Sequence, residues 1–259
     1  MVHPNERLFP GKVFIGTVLE ALDTKVTMTG QVTRIYLQRA AMAGMIIAIL
    51  YSVYFSMLAA FTALPFGDVT LAPVGKVLGS FAFGWALVFI YFTKSELLTS
   101  NMMVVTIGLY HRRVRAGRAL GLLSLCLLGN LLGGALMGLL MRFASFNGGA
   151  TGVQMMHAVE VKLGYISAGQ TGWVDLFVRA ILCNFMINIA MLLIYNGFVK
   201  DDLTKSLSMV VAVFIFAYMG FEHSVANSVL FTIVGLREGI DVLLAMGNVG
   251  IALLGNYVG

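Results

Sequence analysis

Charged and titratable side chains interrupt two apolar stretches of this chain, and their types could act on a small solute. The segment SELLTSN at 95–101 carries Glu96, and the segment FEHSVAN at 221–227 carries Glu222 followed by His223. Histidine titrates near neutral pH, so His223 could offer a proton or a hydrogen bond to a weak-acid anion. The other three histidines are expected in loops: His3, His111 and His157.

Each of these residues also has an ordinary structural interpretation. A carboxylate facing lipid costs about 3 kcal/mol, so Glu96 and Glu222 are predicted to bond the backbone that an interruption loosens. A lone buried histidine can likewise be satisfied by a backbone carbonyl. Because His223 lies at the second interruption, we favour the functional interpretation for that residue.

The composition indicates whether these residues lie in water or in a membrane. Hydrophobic residues make up 59% of the chain and charged residues 11%, and the mean hydropathy is +0.90. This balance excludes a soluble enzyme, a disordered chain and a disulfide scaffold, and it favours an all-α membrane protein with several spans. Neither Cys126 nor Cys183 has a CxxC partner, so no metal site and no cofactor are expected. No basic face remains for nucleic acid.

Six apolar runs are long enough to predict transmembrane helices. The second run contains Lys94 and Glu96, and the fifth contains Glu222 and His223. The last run reaches the end of the chain without a polar flank, so the sequence is expected to be clipped there. The six runs are 40–64, 77–110, 119–141, 180–199, 206–236 and 242–259.

The basic residues predict how the chain is oriented. Residues 111–118 contain four arginines and no acid, which indicates a cytoplasmic loop by the positive-inside rule. With the N-terminus inside, the inner loops hold 11 Lys and Arg residues and the outer loops hold five. We therefore expect both termini in the cytoplasm, a cytoplasmic amphipathic segment over residues 1–39, and a long outer connection over residues 143–173.

The two halves of the transmembrane region repeat each other. Glu96 and Asn101 match Glu222 and Asn227 at a spacing of 126 residues, and GNLLG at 129–133 matches GNYVG at 255–259 at the same spacing. RAAMAG at 39–44 also matches RAILCN at 179–184. With three spans per half, the second half must be inverted, giving repeats at about 40–141 and 175–259. An inverted repeat with broken helices 2 and 5 is typical of membrane proteins that conduct solutes.

Four segments resemble the formate/nitrite transporter family: KSELLTSN at 94–101, GNLLGG at 129–134, RAILCN at 179–184 and GFEHSVAN at 220–227. The resemblance covers essentially the whole chain from Ala40 onward. It implies an aquaporin-like fold in residues 40–259, a homopentamer, and a pore in each protomer for small monovalent anions or their conjugate acids. Formate, nitrite, hydrosulfide and short monocarboxylates are the candidate solutes, and the membrane would be the inner membrane of a prokaryote.

The resemblance also implies roles for individual residues. The pore centre would be His223 with Asn184 and Thr99, and Glu96, Glu222, Asn101 and Asn227 would support the breaks. Two apolar constrictions would flank the centre, although ordinary packing could explain the same side chains. The constriction residues would be Leu87, Leu97 and Leu98 on the cytoplasmic side, and Phe83, Phe216 and Ile187 on the outer side.

The chain departs from the family pattern at two lysines. Many members carry a vestibule lysine 16 residues before the asparagine that matches Asn184, and Ala168 occupies that position here. Lys162 could attract anions in its place, or it could be a solvated loop residue. Lys94, just before the first break, could be a structural cation or the partner of a carboxylate.

Five alternatives remain at this point. An aquaporin-like channel for neutral solutes would share the repeat, but its Asn-Pro-Ala pairs are absent. An ammonium channel would need two facing pore histidines. A haem-bearing subunit or an intramembrane hydrolase would need ligand or catalytic sets that are not present. A structural scaffold would not explain two interruptions, so proton-linked passage of a weak acid is the favoured function.

Overall fold

A computed structural model describes residues 11–66 and 68–259. The first ten residues of the predicted N-terminal segment lie outside the described residues. The described residues form helices joined by short connections, and their only strands make one short antiparallel hairpin. Its elements, in order, are α1 Gly11–Gln31, α2 Thr33–Thr62, β1 Pro65–Phe66, β2 Val69–Thr70, α3 Ala72–Phe92, α4 Leu98–Tyr110, α5 Ala116–Arg142, a 3₁₀ turn Ser145–Asn147, α6 Gly149–Ser167, α7 Gln170–Tyr195, α8 Asp202–Met219, α9 Ser224–Glu238 and α10 Val242–Val258.

The apolar helices fall into two groups by length, those long enough to cross a membrane and shorter ones. Five helices are long and apolar enough to cross a membrane, namely α2, α3, α5, α7 and α8. A 13-residue helix such as α4 is only about 20 Å long, which is too short for a hydrocarbon core of about 30 Å. The apolar run at 77–110 is therefore a full-length helix, α3, followed by a half-length helix, α4.

The predicted outer connection is largely helical rather than an open loop. Residues 149–167 form α6, which carries His157 and Lys162. Its buried residues are Met155, Val159 and Lys162, which lie on one face because they are four and three positions apart. The expectation that His157 and Lys162 lie in loops was therefore wrong, since both are in α6: Lys162 is on the face that packs against the rest of the protein, and His157 is exposed.

Two glycines allow helices to pack with their backbones almost in contact. A Cβ at Gly133 in α5 would lie 1.8 Å from the Ala41 carbonyl oxygen of α2, and a Cβ at Gly259 would lie 2.0 Å from the Ile181 carbonyl oxygen of α7. Real side chains cannot be that close, so only glycine fits at these crossings. The repeated GN motifs therefore mark two equivalent contacts, α2 with α5 and α7 with α10.

Candidate functional site

Two short non-helical segments bring the candidate residues together. Residues 93–97 separate α3 from α4, and residues 220–223 separate α8 from α9. Both following helices begin in the interior, where the Leu98 and Ser224 side chains are buried. Backbone groups in such segments must be paired because unpaired polar groups are costly away from water.

One asparagine satisfies the backbone of the first segment. The Asn130 Nδ2 donates to the carbonyl oxygens of Ala40 and Glu96, each at 2.8 Å. Its Oδ1 accepts the Leu98 N–H at 3.0 Å, and the Glu96 N–H donates to the Arg39 carbonyl oxygen at 3.1 Å. Asn130 thus fixes the point where α4 begins.

The second segment is held by the same set of bonds. The Asn256 Nδ2 donates to the carbonyl oxygens of Ala180 and Glu222 at 2.8 and 2.9 Å, and its Oδ1 accepts the Ser224 N–H at 2.8 Å. The Glu222 N–H donates to the Arg179 carbonyl oxygen at 3.3 Å. The match with Asn130 extends the sequence repeat to individual hydrogen bonds.

The glutamate side chains do not bond the loosened backbone, contrary to expectation. The Glu96 carboxylate pairs with Lys25 and accepts from the Asn101 Nδ2 at 3.1 Å. The Glu222 carboxylate pairs with Lys162 at 2.7 Å and accepts from the Asn227 Nδ2 at 2.6 Å. Each glutamate thus has a lysine and an asparagine as partners, because an ionised carboxylate needs charged or strong donors when it is buried.

His223 lies where the two interruptions meet. Its Nε2 is 3.0 Å from the Thr99 Oγ1, although the two residues are far apart in sequence. Its Nδ1 accepts the Ala226 N–H at 3.1 Å and thereby caps α9. Since Nδ1 accepts, we assign the ring proton to Nε2, which donates to Thr99 in the neutral imidazole. The side chain is only 4% exposed.

Asn184 lies beside this pair but does not contact the imidazole through a hydrogen bond. Its Nδ2 donates to the Asn256 carbonyl oxygen at 2.5 Å and approaches the Thr99 carbonyl oxygen at 3.5 Å. It therefore links the start of α4 to α10, the helix whose Asn256 bonds the backbone of the second segment. Its buried Oδ1 has no hydrogen-bond partner among the described residues.

Two cavities reach toward His223 from opposite ends. The Lys162 cavity, of about 420 Å³, is lined by Lys162, Glu222, Phe216 and His223 among others. The Lys25 cavity, of about 300 Å³, is lined by Lys25, Glu96, Leu87 and Leu97 among others. Between them lies a narrow segment of about 20 Å³. Its lining includes Phe83, Leu87, Leu97, Ile187, Phe216 and His223.

The walls of the narrow segment are mostly apolar. The Phe83 and Phe216 rings meet edge to face with centroids 6.1 Å apart, and Phe216 stacks on the His223 imidazole at 5.9 Å. Of the two leucines expected here from the first interruption, the structure places Leu97 on this passage but not Leu98. Leu98 instead lines an apolar groove with α5 and α10, because successive residues at a helix start point in different directions.

The sequence analysis missed several residues of this site. Lys25, Arg39, Asn130 and Asn256 were seen only as loop charges or as parts of repeated motifs. The signal that could have found the asparagines was present, because Asn130 and Asn256 share the 126-residue spacing of Glu96 and Glu222. Lys25 had no such signal, since its contact with Glu96 joins helix α1 to a segment 71 residues away.

Comparison with known proteins places this arrangement in a family. The formate/nitrite transporter pattern matches residues 13–259. The nitrite transporter NirC of Salmonella typhimurium is 30% identical over 169 residues, covering 64% of this chain and 58% of that protein. The formate channel FocA of Escherichia coli K12 is 27% identical over 192 residues, covering 73% of this chain and 62% of that protein. This chain thus aligns with about three fifths of the length of these two relatives.

Solved structures share the fold. A structure described as an FNT family ion channel superposes with a TM-score of 0.79 at 23% identity, covering 95% of this chain and 93% of that one. A pentameric formate channel with formate bound superposes with a TM-score of 0.69 at 20% identity, covering 88% of this chain and 92% of that one. These matches confirm the helical channel fold expected from the sequence. On the family match and these similarities, the chain belongs to the formate/nitrite transporter family.

Proposed function

We propose that this protein is a membrane channel for small monovalent weak-acid anions, with a pore in each protomer. The observation that carries the proposal is the His223–Thr99 pair at the narrow segment between two cation-lined cavities. The named relatives NirC and FocA are a nitrite transporter and a formate channel. Formate, nitrite, hydrosulfide and short monocarboxylates are the candidate substrates, and no enzymatic step is proposed.

Passage is coupled to a proton in this proposal. A bare anion would lose its hydration between Phe83, Phe216 and Leu87, which is costly in an apolar passage. A weak acid avoids this cost by binding a proton, because low dielectric favours its neutral form. The cavities would gather the anion, and the neutral acid would cross the narrow segment.

His223 acts in this proposal as a hydrogen-bond donor rather than as the proton source. Protonating Nδ1 would break its bond to the Ala226 N–H and remove the cap of α9. The Nε2–H, whose direction is fixed by the ring, can instead donate to a passing solute that takes the place of the Thr99 hydroxyl. His223→Asn should lower formate uptake by up to about tenfold, since a hydrogen bond to the neutral acid contributes about 0.5–1.5 kcal/mol. The acceleration at low pH should remain.

The membrane arrangement extends this proposal. We propose six spans in an inverted repeat, with α4 and α9 as half-length helices, and both termini in the cytoplasm of a prokaryotic inner membrane. Residues 1–39 would form the cytoplasmic segment and residues 40–259 the channel. A homopentamer surrounded by membrane lipid is also proposed, because a structural neighbour is described as a pentameric formate channel.

Uptake into liposomes tests the proposed solute class. Purified protein is reconstituted, and stopped-flow uptake of formate, nitrite, hydrosulfide and lactate is compared with that of glycerol. Protein-free liposomes give the leak through lipid. Uptake of at least one weak acid above this leak, with glycerol excluded, is expected. Glycerol flux without weak-acid flux would instead support the aquaporin-like alternative.

A further inference from the structure

An apolar groove, the leucine groove, opens at the surface of the protein between helices α4, α5 and α10. Its cavity of about 500 Å³ is lined by leucines from all three helices, among them Leu98 and Leu109 of α4, Leu120 of α5 and Leu254 of α10. The Leu120 and Leu254 side chains are 67% and 64% exposed. Exposed apolar surface of this kind marks contact with a membrane or with a partner.

The leucine groove has the depth of one membrane leaflet. It begins beside Leu109 and Ala116, where α4 ends and α5 begins, and its other end is at Leu98 and Leu127. The helical rise from Leu98 to Leu109 is about 16 Å. One leaflet contributes half of a hydrocarbon core of about 30 Å. A single acyl chain would therefore fill the groove from the membrane surface to the level at which α4 begins.

Arginines surround the open end of the groove. Arg112 and Arg115 belong to the connection that leads from α4 to α5, and both are exposed. In the described part of the chain neither of them forms an ion pair, whereas the neighbouring Arg113 pairs with Asp23. The first turn of α5 also has no side-chain cap, and free N–H groups at a helix start favour an anion. This end of the groove therefore presents positive charge without a counter-charge.

The inverted repeat places the opposite charge at the equivalent position of the other half. At the repeat spacing of 126 residues, Arg112 and Arg115 correspond to Glu238 and Asp241. Asp241 caps α10 by accepting the Leu244 N–H at 3.0 Å, so the start of α10 is satisfied from within the chain. The start of α5 has an arginine in the equivalent place, which leaves its N–H groups to an acceptor from outside.

An anionic lipid matches this groove better than a second copy of the chain. A copy would have to bring carboxylates to the two arginines. Of the described acids exposed on the proposed cytoplasmic side, Asp23 and Asp202 are paired and Asp201 caps α8, which leaves Glu20. The cytoplasmic leaflet instead supplies anionic headgroups attached to acyl chains, and an arginine can bind a phosphate through two donors.

We propose that the leucine groove binds an anionic phospholipid of the cytoplasmic leaflet, with one acyl chain along α4 and the phosphate at Arg112 and Arg115. The inference rests on the proposed orientation of the chain and not on the transported solute. The lipid site is separate from the passage, since no residue of the groove lines either cavity or the narrow segment. The phosphate completes the start of α5 as Asp241 completes that of α10.

Quenching of a tryptophan by brominated acyl chains tests the site in lipid vesicles. Trp85→Phe and Trp173→Phe remove the two native indoles, and Leu120→Trp places one in the groove. Leu136→Trp is the matched reference, because Leu136 is exposed on the same helix but outside the groove. Each protein is measured with brominated phosphatidylglycerol in plain phosphatidylcholine, and with brominated phosphatidylcholine in plain phosphatidylglycerol.

At the groove, phosphatidylglycerol should be favoured over phosphatidylcholine by about tenfold or more, because each cation near an anionic headgroup strengthens its binding. Arg112→Gln combined with Arg115→Gln should abolish this preference. Lys12→Gln combined with Lys200→Gln removes the same amount of exposed charge away from the groove and should retain it. The reference indole at position 136 should show nearly equal quenching by the two lipids.

Two glycine substitutions test whether the acyl chain occupies the groove. Gly117 lines the groove near its open end, Gly121 does not, and both have open space around a Cβ. Gly117→Phe should therefore weaken the lipid preference by filling that space, and Gly121→Phe should not. A preference that survives Gly117→Phe would overturn the placement of the chain.

Three further outcomes would overturn the proposal. Equal quenching by the two lipids at position 120 would exclude a headgroup preference. Absence of quenching by either lipid would show that another protein surface, such as a second copy, covers the groove. A preference that persists without both arginines would exclude the phosphate site. None of these measurements involves solute uptake, so their failure is distinguishable from failure of the proposed function.

Discussion

At the scale of single residues, the buried charges of the site are held in ion pairs and hydrogen bonds. Glu96 and Glu222 each hold a lysine and an asparagine, and the His223 ring is fixed at both nitrogens. The sequence could predict His223, Thr99 and Asn184 as neighbours through the family resemblance. It could not predict the Lys25–Glu96 pair, since a contact between distant segments depends on how the helices pack.

The Lys162–Glu222 pair gives a prediction at this scale. Lys162→Met should lower the free energy of unfolding by about 3 kcal/mol, because it leaves Glu222 buried without its counter-charge. Adding Glu222→Gln should recover part of the loss, since the uncompensated charge is then gone. Lys200→Met serves as the control, because Lys200 is exposed. Denaturant unfolding in detergent measures the differences, and equal stabilities of the single and double variants would contradict the pairing.

At the scale of elements, the non-helical segments 93–97 and 220–223 are positioned by helices that approach one another closely. The pattern of apolar runs predicted most of the long helices, because hydrophobic length is a strong signal. It misplaced the ends of α3 and α7 and missed α6 as a helix. The α6 segment mixes polar and small residues, and only packing against the other helices reveals that one of its faces is buried.

The GN motifs give a prediction about helix packing. Gly133→Ala should destabilise the protein by about 1–3 kcal/mol, because its Cβ would overlap the Ala41 carbonyl and separate α5 from α2. Gly121→Ala in the same helix has open space around its Cβ, so it should be neutral or slightly stabilising. Thermal unfolding of both variants checks the contrast, and similar effects of the two substitutions would disprove the close contact.

An ion pair between Asp23 of helix α1 and Arg113 of the loop after α4 joins these two elements, and it depends on pH. The Arg113 guanidinium hydrogen-bonds Asp23 at 2.7 Å and lowers the pKa of that carboxyl below its ordinary value. A lowered folded-state pKa stabilises the contact above the ordinary Asp pKa of about 3.9, and this stabilisation is lost as the pH falls through the lowered value.

Hydrogen exchange of α1 therefore should increase as the pH is lowered through this acidic range, after correction for the intrinsic effect of pH on exchange. Arg113→Gln should show faster exchange already at neutral pH and a weaker acid dependence. Lys12→Gln in α1 removes a cation that makes no ion pair within the described residues, and should match wild type. An identical acid profile in Arg113→Gln and wild type would exclude the contribution of this pair.

At the scale of the whole molecule, the two halves use the same contacts to build one passage. The sequence repeat predicted this equivalence at Glu96, Asn101 and the GN motifs, because matched residues recur at one spacing. It could not predict that Lys25 and Lys162 play equivalent roles as partners of Glu96 and Glu222. Their spacing differs from 126 residues, and the segments around them are not similar in sequence.

The proposed orientation can be tested by cysteine accessibility in spheroplasts. The native Cys126 and Cys183 are fully buried, so an introduced cysteine can be labelled selectively. A membrane-impermeant maleimide should label Glu160→Cys in intact spheroplasts and Arg115→Cys only after lysis. The two positions are both exposed, which makes them matched probes. The reverse labelling pattern would contradict the proposed placement of both termini in the cytoplasm.

The most direct test of the central claim is whether a proton accompanies each anion. Formate uptake and the internal pH are followed together in liposomes containing the protein and a trapped pH dye, at a low and a neutral outside pH. Protein-free liposomes correct for diffusion of formic acid through lipid. We predict faster protein-dependent uptake at the lower pH, with acidification of the interior in proportion to the formate that enters. Uptake independent of outside pH and without acidification would show passage of the bare anion and contradict the account.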